Sequence, residues 1–286
     1  MMDPTTRRQA ITLYDRFTHG GMERRGFMAR MVALAGSLAA AESLIAAIGA
    51  SPAAASIVPP DDKRLATRSV TLGGYKAYVA QPRAAGARPT VLVIHENRGL
   101  NEHIRDIARR LALAGYRAVA PDLLSPLGGT PADEDAAREA IGKLDLALAT
   151  AAGVAMLRVL AKSSRHGKVG AVGFCWGGAY VDRLAVAAGG ALAAGVSYYG
   201  PAPNPSEAVK VQAPLLLHYA GLDTRVAATA SPWVAALKAA HKRFDSYTYP
   251  GVDHAFNNDT SAERYNKPAA DLAWTRTLAF FKRFVG

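Results

Sequence analysis

One segment, Gly173-Phe174-Cys175-Trp176-Gly177-Gly178, restricts the possible folds of this chain more than any other. A short apolar run over residues 168–172 precedes it, and residues 176–188 carry a helical pattern. A strand that turns into a helix within one or two residues crowds the backbone on both sides, so the positions flanking the turn must be glycine. Such a turn aims its central side chain out of the carboxyl edge of a parallel sheet, where open α/β sheets bind ligands. Here that side chain is Cys175, the one cysteine of the chain. The positive end of the following helix lies under the sulfur and favours thiolate. The Trp176 N–H is free to donate to an oxyanion. This is the form of a nucleophile elbow with Cys in place of Ser. The alternative is a buried structural cysteine.

The rest of the chain fits that sheet. Residues 67–72 and 75–80 flank Gly73-Gly74 and read as a hairpin. Further strands are expected at 90–95, 116–120, 193–199, 214–219 and 244–249. Helices are expected at 101–114, 133–162 (with Gly142 or Gly153 as a point of breakage), 231–241 and 262–284. Strands alternating with helices make a doubly wound, mostly parallel α/β sheet with helices on both faces. No linker divides residues 65–286, so one domain is expected over 56–286.

A thiol nucleophile needs a base, and the base an orienting acid. In an elbow-bearing sheet the chain order is nucleophile, acid, histidine. Asp223 follows the run 214–219 and His254 follows the run 244–249. With Cys175 they form the candidate triad. Asp253 competes as the acid, and Asp223 could serve only to close a turn. After the run 90–95 comes Glu96-Asn97-Arg98. The Asn97 N–H is the candidate second oxyanion donor. Glu96 would disfavour thiolate if it lay close to the sulfur uncompensated. Arg98 is a candidate for offsetting it or for binding an anionic substrate. His19, His103, His166, His218 and His241 are given no role.

Residues 1–55 differ in character. Arg24-Arg25-Gly26-Phe27 precedes an Ala-rich apolar stretch at 31–48, and Ala53-Ala54-Ala55 follows. Charge, apolar core and small-residue cleavage site come in the order of an export signal, with the arginine pair of the twin-arginine type. Residues 1–55 are therefore expected to be an export leader, which takes the protein to the periplasm or beyond. The alternative is an N-terminal extension of a cytoplasmic protein. Glu42, Gly49 and Pro52 interrupt the ~20 apolar residues of a membrane span, so no stable span is expected.

Thirty-four Lys and Arg against 23 Asp and Glu give a net charge of +11. No basic run interleaves with aromatics, so the charge reads as dispersed and nucleic acid is not expected as a partner. A lone cysteine excludes an intramolecular disulfide and a zinc site built from cysteines. No dinucleotide or Walker motif is present, so no organic cofactor and no metal is expected.

Taken together, Gly-Phe-Cys175-Trp-Gly-Gly, Asp223, His254 and His-Glu96-Asn-Arg-Gly resemble the dienelactone hydrolase (carboxymethylenebutenolidase) family, over about residues 65–286. The resemblance implies an α/β-hydrolase fold and cleavage of an ester or lactone by Cys175, with His254 as base and Asp223 orienting it. It implies that Glu96 pairs with the thiol, that Asn97 and Trp176 form the oxyanion hole, and that Tyr198 or Tyr199 lines the site. Dienelactone-cleaving members hold the substrate carboxylate with arginines, one of them a few residues after the catalytic histidine. Here Ala255-Phe256-Asn257-Asn258 follows His254, and Arg98 or Arg225 is left as substitute. Two alternatives remain: a general carboxylesterase or thioesterase of the same fold, and a binding protein that kept the fold without the chemistry.

Overall fold

The computed structural model describes residues 3–49 and 56–286. The cleavage site expected at Ala53–Ala55 lies outside the described residues. The described chain opens with helices α1 (Pro4–Thr18), α2 (Arg24–Ala35) and α3 (Leu38–Ile48). It continues with strands β1 (Leu65–Leu72), β2 (Tyr75–Pro82) and β3 (Thr90–Ile94), helix α4 (Glu102–Leu113) and strand β4 (Arg117–Pro121). Then come α5 (Glu134–Gly142), α6 (Leu146–Ala161), β5 (Val169–Phe174), α7 (Trp176–Ala187), β6 (Ala194–Tyr198) and β7 (Leu215–Ala220). The chain ends with α8 (Thr224–Ala239), β8 (Phe244–Tyr249) and α9 (Lys267–Phe284).

All eight strands form one sheet in the order β1-β2-β4-β3-β5-β6-β7-β8. β1 and β2 pair antiparallel, as do β2 and β4; every pairing from β4 to β8 is parallel. This is the mostly parallel sheet expected, with the hairpin as its antiparallel edge. β3, β5, β6 and β7 are buried along their whole length, because helices cover both faces. One apolar layer lies under α4 and α9 and includes Val93, Ile104, Ile107 and Phe281; the other lies under α6, α7 and α8 and includes Leu157, Leu184 and Trp233.

Three helix boundaries differ from expectation. The 133–162 stretch breaks after Gly142, since Asp145 starts a second helix by accepting from Ala147 N and Leu148 N at 2.9 and 3.0 Å. The helix expected at 231 begins at Thr224, because Asp223 caps it; Pro232 is carried inside it. The last helix starts at Lys267 rather than 262, capped by Asn266.

Helix α7 also carries Asp182, fully buried, whose two carboxylate oxygens have no hydrogen-bond partner. Burial raises this carboxyl to about 8, against the opposing pull of the Ser197 hydroxyl beside it.

The N-terminal helices fold on one another around Ile11, Tyr14, Phe27, Met31, Leu44 and Ile48. Phe17 and Phe27 stack at 4.3 Å. Among the described residues no single helix is long and apolar enough to cross a membrane; α2 and α3 reach that composition only as a pair bent by 106°.

Candidate active site

The parallel strands β3, β5, β7 and β8 deliver four loops to one edge of the sheet. β5 ends at Phe174, and Cys175 follows with φ 53° and ψ −115°, a conformation held by its surroundings at some cost. The two flanking glycines are sterically required. A Cβ on Gly173 would lie 2.0 Å from the Gly177 carbonyl oxygen, and one on Gly177 would lie 2.4 Å from that of His95. Cys175 N donates to Tyr198 O at 2.9 Å and locks the turn to β6. Trp176 is the first residue of α7, so its N–H has no partner within the helix. Asn97 lies in the loop after β3 and, with Cys175 and His254, lines a small cavity.

Asp223 stands three residues past β7 and uses both its oxygens. One accepts from Val226 N at 3.0 Å and caps α8; the other accepts Nδ1–H of His254 at 2.5 Å. The capping and orienting roles are thus compatible. Asp253 does not orient the ring; its carboxylate lies 3.9 Å from Arg7. Arg225 lies 3.9 Å from Asp223 rather than in the cavity.

With Nδ1 held, His254 turns Nε2 away from Asp223, and that atom has no hydrogen-bond partner. A ring nitrogen of His254, a ring nitrogen of His19 and the sulfur of Cys175 all lie within 4.8 Å of one another. Burial pushes the Cys175 thiol up, but the two imidazoles outweigh it and bring it down to about 5. Burial pushes His254 down, but the Cys175 sulfur and the Asp223 carboxylate outweigh this and raise it. A thiolate–imidazolium pair is the form these neighbours favour.

The other expected residues separate. Glu96 is buried, lines the cavity with Cys175 and accepts from Asn258 Nδ2 at 2.8 Å. Arg98 lines the cavity, pairs with Glu134 and donates to Tyr14 OH at 2.5 Å. Tyr199 sets its ring edge-on to His254, centroids 5.0 Å apart. Tyr198 does not face the cavity: its hydroxyl pairs with Thr277 at 2.7 Å and its ring with His218. Tyr199 lies just past the end of β6 with φ 39°, so the chain has left the strand there and its ring turns to His254 while that of Tyr198 does not.

Several residues at the site had no sequence signal. α1 lies over the sulfur, and its C-terminal His19 brings Nε2 to 3.3 Å from it. Asn97 Nδ2 donates to Thr18 O at 3.1 Å, and Arg264 lies 3.4 Å from Asp15 and 5.1 Å over the Tyr14 ring. Arg7 donates to Glu263 at 2.5 Å, and Ser261 Oγ to Ile48 O at 2.6 Å. The covered cavity has about 20 Å³ of free space, room for one water.

Comparison with known proteins agrees with this architecture. Residues 75–285 match the model of the dienelactone hydrolase family. A protein of Escherichia coli O157:H7 named "Putative carboxymethylenebutenolidase" is 35% identical over 258 residues, 83% of this chain and 94% of the relative. A Klebsiella pneumoniae structure titled a "Putative Dienelactone Hydrolase" superposes with a TM-score of 0.71 at 30% identity, covering 77% of this chain and 99% of that one. The dienelactone hydrolase of Anabaena variabilis shares the fold, with a TM-score of 0.59 at 23% identity over 78% of this chain and 98% of that one. With its elbow, its sheet order and these relatives, the chain belongs to the dienelactone hydrolase family, and so to the carboxylic ester hydrolases of α/β-hydrolase fold.

Proposed function

We propose that the protein cleaves an ester or lactone through a covalent acyl-enzyme on Cys175. The observation that carries this reading is the chain of contacts from Asp223 through His254 toward a buried sulfur whose neighbours favour thiolate. The Cys175 sulfur attacks the carbonyl carbon and the carbonyl electron pair moves to oxygen. The amides of Asn97 and Trp176 donate to that oxyanion. The intermediate collapses, the C–O bond breaks, and the His254 imidazolium protonates the departing alkoxide. His254 then takes a proton from water as it attacks the thioester, and thiolate is released. Asp223 keeps Nδ1 protonated so that Nε2 is the reacting nitrogen. Asn258 fixes the Glu96 side chain by a hydrogen bond, and Tyr199 supports the histidine ring.

Arg98 and Arg264 both line the cavity and are both engaged by α1, Arg98 through Tyr14 and Arg264 through Asp15. When α1 withdraws, two guanidiniums face the space above the sulfur, which suits a substrate bearing a carboxylate. Withdrawal is required, since a cavity for one water admits no ester.

The test is hydrolysis of a dienelactone and of a neutral p-nitrophenyl ester by the full chain and by Cys175→Ala. Turnover by the intact protein and a drop of ~10⁴ or more in the variant are expected. Preference for the anionic lactone identifies a lactonase, and preference for the neutral ester a general esterase. Equal activity of the two proteins would overturn the thiol mechanism.

A further inference from the structure

We infer that Cys175, His254 and His19 form a zinc-binding site in the uncut chain, one that closes the hydrolase. The juxtaposition that carries it is a buried sulfur facing two imidazoles, with one donor atom of each residue within 4.8 Å of the others. Each ring is already oriented as a metal ligand would be. His254 donates Nδ1–H to Asp223. His19 Nδ1 lies 2.7 Å from the Asp15 carbonyl, which can only accept, so this nitrogen carries the hydrogen. Metal-binding histidines commonly have their second nitrogen fixed in this way, by a carboxylate or a backbone carbonyl.

Both rings therefore present Nε2 to the same sulfur. A single proton shared among these three donors cannot satisfy them all, and among the described residues His254 Nε2 is buried with no partner in hydrogen-bond geometry. A divalent cation satisfies all three together. One thiolate and two imidazoles suit Zn²⁺, which takes three protein ligands in a tetrahedral shell and leaves the fourth position for water. The cavity beside them has room for that one water. Coordination forms three donor–metal bonds, releases the shared proton to solvent and changes no oxidation state.

The binding rests on donor geometry alone. The consequence for activity rests on the proposed role of Cys175, because the metal would occupy both the sulfur and the base. It would also fasten α1 across the cavity, since His19 closes that helix. His19 lies within the residues read as a leader, so removal of the leader would abolish the site.

The full chain, reduced and stripped of metal, is titrated with Co²⁺ as a spectroscopic stand-in and then with Zn²⁺ in competition. One equivalent should bind and give a thiolate-to-cobalt charge-transfer band, absent in Cys175→Ala. His19→Gln, which keeps a polar side chain but supplies no imidazole, should weaken binding by at least about tenfold, the least expected when even a ligand's supporting contact costs ~10–100-fold. It should raise the zinc concentration that stops ester hydrolysis by the same factor, and His19→Cys should restore tight binding. Absence of the band, or unchanged affinity in His19→Gln, overturns the site. If the band is present while Cys175→Ala still hydrolyses ester, the zinc site stands and the thiol mechanism falls.

Discussion

Asp182 is a single residue whose charge state sets part of the stability of the fold. It sits on α7 with neither oxygen partnered, and an ionised carboxylate there would be severely desolvated. The ordinary carboxyl value is 3.8, whereas in the folded protein burial holds the proton until about 8. Between these values the folded state binds the extra proton, so stability falls as pH rises through the window. Asp182→Asn removes the titration. Thermal unfolding should show the variant little changed below about pH 4 and increasingly more stable toward about pH 9, by about 2–4 °C for each kcal/mol recovered. A constant difference across that range would refute the account. Nothing in the sequence marked Asp182, because its isolation is created by packing against β6. Cys175, Asp223 and His254 were legible, since each follows a strand of a parallel sheet and all such ends reach one edge. Tyr198 and Tyr199 could not be separated, because β6 ends between them and the positive φ of Tyr199 that turns its ring has no sequence mark. His19 and Arg264 were invisible: His19 meets Cys175 across 156 residues of chain, and no spacing rule records that docking.

At the scale of elements, apolar periodicity was enough to predict the strands and the existence of most helices. It was a poor guide to their ends, which side chains at the caps decide. The break between α5 and α6 is the clearest case. The pattern runs on through Gly142, but Asp145 offers its carboxylate to two free amides and starts a new helix. Asp145→Ala should cost about 0.5–2 kcal/mol of stability, read from denaturant midpoints, and leave hydrolysis unchanged because α6 lies away from the cavity. A neutral result would show that packing of Leu157 and Leu160, not the cap, fixes where α6 begins. The same logic explains α8, whose early start follows from Asp223. One carboxylate thereby ties the geometry of a helix terminus to the orientation of His254.

At the scale of the molecule, two parts of the chain meet: an elbow-bearing sheet, and a set of helices whose composition reads as an export leader. Their contacts include paired polar groups, as in Arg7 with Glu263, Arg98 with Tyr14 and Arg24 with Asp135. We propose that the arginine pair directs export. Arg24→Lys combined with Arg25→Lys should hold the protein in the cytoplasm of a bacterium with twin-arginine transport. The unaltered chain should appear outside the inner membrane with an N-terminus at Ser56. Equal distribution of both proteins would leave these residues as an extension of the domain. The contacts of α3 also impose an order of events. Ser261 and Glu263, which hold the carbonyls of Ile48 and Ala47, lie near the other end of the chain. During synthesis, at ~5–20 residues per second, the first helices to emerge must wait for nearly the whole polypeptide before their docking surface exists. Helices made early in the chain are therefore late to take their place.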